Sequence, residues 1–289
     1  MKYKKRLTDQ QKLDLVKEYL TGKFTCAKLG QKYNVCKTSI RSLLRYRNIP
    51  IFNDQSKLQR RYTLDESYFD KIDTEAKAYF LGLFYADGCN NITRNTINIS
   101  LISKDKHILE TFQKELRSNR PLQFVEKSKK NPNWQDHFIL SINSKKLCDS
   151  LNKLGCPQAK TFKLKFPTSE IVPDHLLRHF IRGYFDGDGC FTTYITKSKH
   201  NNKIYPSKKY CFSIVSTEDF CISLGELLKE KFGYHFSLYK RHKNRDNNCR
   251  TLIFSGKKTL SLLEWLYSDS TIYLERKYNK FITEKTLLS

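Results

Sequence analysis

FLGLFYADG, from Phe80 to Gly88, and IRGYFDGDG, from Ile181 to Gly189, are two copies of one nine-residue pattern. In each, a glycine (Gly82, Gly183) stands among large apolar residues and an Asp-Gly pair closes the segment, making Asp87 and Asp188 equivalent acids. The stretch leading into each copy reads as helix. Leu176, Leu177, Phe180, Ile181, Tyr184 and Phe185 recur at spacings of one and four, and the first copy is apolar almost all round, as a buried helix is. Without a β-carbon, Gly82 and Gly183 let two helix backbones approach closely, so the simplest packing sets the copies against each other. Both carboxylates then meet at helix C-termini, where the dipole makes an acid unfavourable by roughly 0.3–1 kcal/mol. Bound divalent cations reverse that penalty, and paired carboxylates suit Mg²⁺ (or Mn²⁺). One copy alone reads equally as a buried helix stopped by a C-cap glycine; two copies point to an internal repeat.

This repeat resembles the two-motif, single-chain LAGLIDADG homing endonucleases over roughly residues 74 to 289. Tyr85, Arg182 and Gly187 depart from the family's pattern at positions it lets vary, and both metal-binding acids are kept. The resemblance implies a double-strand DNA endonuclease that cuts across the minor groove, leaves short 3′ overhangs and promotes insertion of its own coding element. It also implies one lysine or arginine from each half near the scissile phosphate. Lys165, in KTFKLKFP, aligns roughly with Lys277, in YLERKYNKF, for that role.

Composition agrees with a polyanionic partner. The chain has 289 residues and a net charge of +24, and it is 39% hydrophobic, enough for two or three ordinary cores. No apolar run approaches the ~18 residues of a membrane span and no signal peptide precedes the first domain, so a soluble, intracellular protein is expected. The nine cysteines form no C-x-x-C pair, so neither a disulfide framework nor a zinc site is indicated. His175 and His179 lie four apart but lack a third ligand nearby, and are read as helix-surface residues.

Residues 1–50 hold 13 Lys or Arg against 3 Asp or Glu. Thr8 caps a first helix ended by Thr21-Gly22, a second runs from Thr25 through Tyr33, and a third from about Lys37 to Asn48, with Ile40, Leu43 and Leu44 inward. This resembles a helix-turn-helix domain whose third helix, with Lys37, Arg41, Arg45 and Arg47 outward, enters the major groove. A three-helix bundle with a solvated basic face is the other reading. Residues 51–73 form a linker containing Arg60-Arg61, with aromatic residues from Tyr62 onward docking on the first half.

The period then changes to two, as in Thr96-Ile97-Asn98-Ile99-Ser100-Leu101. Each half (74–167 and 168–289) reads as helix, two strands, helix, two strands, helix. The fold class is α+β: two αββαββα half-domains with pseudo-twofold symmetry and DNA-binding antiparallel sheets, plus the small all-α domain. In the second half, strands are expected at 191–197, 210–216, 235–241 and 250–254. The helices leave two polar, basic sheet faces on the side of the acids, with Asn91, Thr93, Arg94, Asn98, Thr193, Lys197, Lys240 and Arg241 as DNA-contacting candidates. The second half's hairpin loops, with Lys240, Arg241, Lys243, Arg245 and Arg250, are longer and more basic, so the partner is double-stranded DNA with a long asymmetric site.

The resulting expectation is a monomeric, free-standing, metal-dependent DNA endonuclease with Asp87 and Asp188 as metal ligands. A non-cleaving DNA-binding regulator and an RNA maturase on the same scaffold are the alternatives.

Overall fold

The computed structural model describes residues 7–51, 62–200, 203–233, 235–241 and 248–287. The chain divides into two compact units, Met1–Arg61 and Tyr62–Ser289.

In the first unit, α1 (Asp9–Leu20) starts in a capping box. Thr8 accepts from the Gln11 backbone N–H and Gln11 answers to the Thr8 N–H, satisfying two orphan donors. Thr25 caps α2 (Cys26–Lys32), and α3 (Lys37–Tyr46) follows. Leu15, Tyr19, Cys26, Leu29, Ile40 and Leu44 interlock as its core, which is why the apolar positions recur at helical spacing. Residues 52–61, including Arg60-Arg61, lie outside the described residues.

The second unit opens with Tyr68, Phe69 and Ile72, all buried against the first half. Thr74 caps α4 (Glu75–Asp87). Then come β1 (Gly88–Asn91), β2 (Thr96–Ile102), α5 (Lys106–Glu115), β3 (Gln123–Val125), β4 (His137–Asn143) and α6 (Lys145–Lys153). A 3₁₀ turn, Asp174–Leu176, leads into α7 (Leu177–Asp188). After it come β5 (Gly189–His200), β6 (Lys203–Thr217), α8 (Glu218–Phe232), β7 (Ser237–Lys240), β8 (Cys249–Ser255), α9 (Thr259–Tyr267) and α10 (Glu275–Thr286). The two sheets are antiparallel with the same order, β1-β2-β4-β3 and β5-β6-β8-β7.

Each sheet presents alternate residues to the helices. Ile97, Ile99, Leu101, Leu140 and Ile142 do so in the first, and Phe191, Tyr210, Phe212, Ile214, Leu252 and Phe254 in the second. One continuous apolar core runs through both halves.

The β5–β6 hairpin is longer than the alternation indicates, pairing from Gly189↔Ile214 out to His200↔Lys203. β6 pairs with β8 only from Cys211 to Thr217, so Pro206, opposite Lys197, costs no ladder bond on its open side. The outer ribbon extends past the helix layer, which removes the apolar/polar alternation that betrays a strand. Conversely β7 begins two residues later than expected, at Ser237.

Candidate functional site

Helices α4 and α7 touch through their glycines. A β-carbon on Gly82 would lie 2.0 Å from the Phe180 carbonyl oxygen, and one on Gly183 would lie 2.0 Å from that of Tyr79. The contact is reciprocal, as a twofold relation between the repeats requires. It continues to the helix ends, where a β-carbon on Gly187 would stand 2.3 Å from Ala86 Cβ and 3.0 Å from Asp87 Oδ2. Each helix ends on its acid and runs directly into a strand. Gly88 and Gly189 have φ of −75° and −91°, so the left-handed C-cap is not what they supply. A side chain on either would instead strike the ring of Phe84 or Phe185.

Asp87 and Asp188 are open to solvent on one side and walled by protein on the others. Loss of hydration, then the charge of Asp188, pushes the Asp87 carboxyl up to about 6, against the pull of Lys277, Lys160 and Arg276. Burial likewise raises Asp188, opposed by Lys160, Lys277 and Arg241. Solvent on the open side screens part of both effects.

Two amines cap the carbonyls at the helix ends. Lys160 Nζ donates to Ala86 O (2.8 Å); Lys277 Nζ donates to Phe185 O and Gly189 O (both 2.6 Å). Cations belong at a helix C-terminus, and these relieve the charge of the acids as well. Burial depresses Lys277 to about 8, with Asp186 the main opposing influence. The counterpart of Lys277 is therefore Lys160 and not Lys165, which is exposed. A left-handed Ala159 (φ 54°) and the 3₁₀ turn Lys160–Phe162 bring Lys160 to the helix end, a backbone detail invisible in a lysine-rich run.

Sequence reasoning missed the polar network beneath. Arg182, fully buried, donates to Glu75 (2.7 Å), His179 Nδ1 (2.8 Å) and the carbonyls of Ile272 and Leu266 (both 2.9 Å). His179 is therefore not a surface residue: it is 6% exposed, and burial followed by the Arg182 charge depresses it to about 4. His175 is exposed, as expected. Asp186, also fully buried, accepts from Tyr79 Oη (2.9 Å), Tyr267 Oη (3.1 Å) and the Leu274 N–H (2.8 Å). An ionisable residue at each of two positions inside an apolar helix was the available signal.

The helix-free sheet faces follow from the register. Asn91 and Asn98 lie on the open face of the first sheet, opposite the parity of Ile97 and Ile99. Thr93 and Arg94 sit on the β1–β2 turn, where Asn91 accepts the Arg94 N–H and Thr93 bonds Gln158. Thr193 instead shares the helix-side face of Phe191 and donates to Glu284 of α10. Lys197 has the same parity but is exposed on the outer ribbon, and Lys240 and Arg241 are exposed at the end of β7. Lys240 is opposite Arg250, which turns to Glu218 on the helix side. Lys243 and Arg245 lie outside the described residues. The open faces are polar; on the second sheet the register puts Lys203 and Lys209 of β6 on that face, and Arg241, just past β7, is near enough to Asp188 to oppose its shift. Charge sits at turns and strand ends because the strands' alternate positions hold Asn, Thr, Ser and Cys. In the first unit Lys37 and Arg45 of α3 are exposed and Arg41 is half-buried.

Residues 175–266 match the family model described as a LAGLIDADG-like domain. An uncharacterised protein of Methanocaldococcus jannaschii is 25% identical over 207 residues, 71% of this chain and 72% of that one. Among solved structures, the LAGLIDADG meganuclease I-AabMI bound to uncleaved DNA is similar at 14% identity and a TM-score of 0.47, covering 75% of this chain and 91% of the other. The I-LtrWI LAGLIDADG homing endonuclease bound to target DNA is similar at 13% identity and a TM-score of 0.49, covering 78% and 91%. Among the described residues no helix is long and apolar enough to cross a membrane.

Proposed function

We propose, from the match of residues 175–266 to the model of a LAGLIDADG-like domain, that the protein is a metal-dependent, site-specific endonuclease acting on double-stranded DNA as a monomer. The observation that carries this reading is the reciprocal glycine contact that sets Asp87 and Asp188 together at two helix ends, each with a lysine beside it. Structural stability gives no reason for two acids at that place.

The donor set fits a hard divalent cation. The carboxyls are oxygen donors whose pKa is raised by burial, and at Asp87 also by the charge of Asp188, which a cation would relieve. Among the described residues no cage of three or more His, Cys, Asp or Glu forms, leaving coordination positions for water and phosphate, as Mg²⁺ prefers. Bound there, Mg²⁺ or Mn²⁺ would draw charge from the scissile phosphate and make water easier to ionise. Asp87 and Asp188 would hold that cation and orient it. Lys160 and Lys277 place ammonium groups where negative charge grows in the transition state. Lys277, poised near 8, can also hold or release a proton near neutral pH.

DNA recognition falls to the two sheet faces. Asn91 and Asn98 offer paired donor and acceptor groups to base edges. Arg94, Lys197, Lys240 and Arg241 sit at the rims, where phosphates pass. The longer β5–β6 ribbon gives the second half a wider reach, consistent with an asymmetric site. In the first unit, α3 is the helix-turn-helix reading element, with Lys37, Arg41 and Arg45 toward DNA.

The test is cleavage of a random-sequence duplex library with Mg²⁺, followed by sequencing of the ends. One site cut in both strands with a short 3′ overhang is expected. Tight DNA binding without cleavage would make this a regulator, and preference for structured RNA a maturase.

A further inference from the structure

The two lysines are held in different ways. Lys277 belongs to the first turn of α10, and both ends of that turn are tied to the last turn of α7. Asp186 accepts the Leu274 N–H at the residue before the helix (2.8 Å), while Lys277 Nζ returns to Phe185 O and Gly189 O. The first backbone bonds of α10, from Lys277 N and Tyr278 N to Leu274 O (both 3.0 Å), close the loop. Asp186 is itself fixed by Tyr79 Oη, from the other half's motif helix, and by Tyr267 Oη of α9. The carboxyl oxygen that accepts this N–H is fully buried, so no water competes for the bond.

The first half lacks this clamp. Tyr85 stands where Asp186 stands in the repeat, and its hydroxyl donates to Leu154 O (2.6 Å) instead. That hydroxyl also lies 2.1 Å from where a Gly155 β-carbon would be, so Tyr85 fills its own niche. Lys160 sits on a three-residue 3₁₀ turn, with Ala86 O as the acceptor of its amine.

We propose that Asp186 is a positioning residue for Lys277 and that it serves cleavage of one DNA strand only, making the two strand cuts unequal by construction. The proposal rests on the nuclease reading above for its strand consequence, but not for the Asp186–Lys277 link itself.

Asp186→Asn tests it, because the amide keeps the volume and replaces one of the two accepting oxygens by an NH₂ donor. Leu274→Pro is the second variant: φ at Leu274 is −75°, which proline adopts, and the N–H that Asp186 holds is removed. Two measurements are made on the full-length protein. The first is amine-reactive footprinting of the free protein, read by mass spectrometry. Lys277 should become several-fold more reactive in either variant while Lys160 stays unchanged. Equal reactivity of Lys277 in wild type and a folded variant overturns the proposal, whether or not the protein cuts DNA. The second uses the duplex recovered from the random library, with each strand carrying a different end label. Cleavage of one strand should slow on the order of tenfold to a hundredfold, the usual result of misplacing a group by about 1 Å, and nicked product should accumulate. Adding Asp186→Asn to Lys277→Met should slow that strand no further. Equal slowing of both strands, or an added loss in the double variant, means that Asp186 acts through general stability. Absence of cleavage by the wild type would defeat the nuclease reading and leave the footprint to decide the link.

Discussion

Replacing Gly183 by alanine adds one carbon where α4 and α7 meet backbone to backbone. The new atom would be built 2.0 Å from Tyr79 O, 2.9 Å from Tyr79 C and 3.0 Å from Leu83 N, all backbone atoms of α4. Ordinary contacts need roughly 3.5 Å, so the helices must part by more than about 1 Å, since no side chain can swing aside. Overpacking of this kind costs ~1–3 kcal/mol, occasionally more. In a unit the size of residues 62–289 each kcal/mol lowers Tm by about 2–4 °C, so a drop of about 2–12 °C is expected. The same separation moves Asp87 from Asp188 and should reduce double-strand cleavage by on the order of a hundredfold. Thermal unfolding and a plasmid-linearisation assay read the two effects. Gly233→Ala is the control: φ is +65° with nothing within 4 Å, so ~1 kcal/mol of backbone strain is expected with full activity. A Gly183→Ala protein with wild-type Tm and cleavage would refute the helix contact as the device that pairs the acids.

Asp87→Asn should abolish cleavage, retain specific binding and stabilise the metal-free protein at pH 7. Because folding raises the Asp87 pKa from 3.8 to about 6, the wild type gains stability from this group at low pH and loses it as pH rises through that window. The advantage of the variant should therefore shrink toward pH 4, and an advantage that is constant with pH would refute the assignment. Arg182→Met should cost ~3 kcal/mol in urea unfolding, toward the lower end for a broken buried pair because Glu75 keeps the Thr271 N–H and some solvent; no loss would show that the pair is idle. Deleting residues 1–61 should leave cleavage intact at saturating protein while flattening the salt dependence of binding, by ~0.9 in logarithmic slope for each phosphate that α3 would otherwise neutralise. An unchanged slope would remove α3 from the DNA interface.

Features set by local chemistry were legible in the chain. Thr8, Thr25, Thr74 and Thr217 each precede a helix whose exposed N–H groups they cap. The alternation from Thr96 to Leu101 gives β2 and, with it, the open face that carries Asn98. The N-terminal bundle follows from its helical spacing. The outer β5–β6 ribbon was not legible, because a strand with no layer to pack on carries no alternating pattern. Thr193 was assigned to the wrong face for a related reason: its partner Glu284 lies 91 positions away, and nothing near Thr193 indicates that a helix end reaches it.

The sequence by itself determined the repeat and its acids. A glycine repeated inside an apolar helix has one economical explanation, close backbone contact, and acids at two helix ends oppose the dipole, so both stand out without knowledge of neighbours. Tertiary structure alone decided which polar groups serve them. Lys160 and not Lys165 meets the first helix end, Arg182 finds Glu75, and Asp186 joins Tyr79, Tyr267 and Leu274. These partners come from segments about 75 to 110 residues apart, and a buried charge takes whatever donor or acceptor packing delivers. Periodicity encodes which side of an element is buried; which atom waits on the other side is a property of the assembled core.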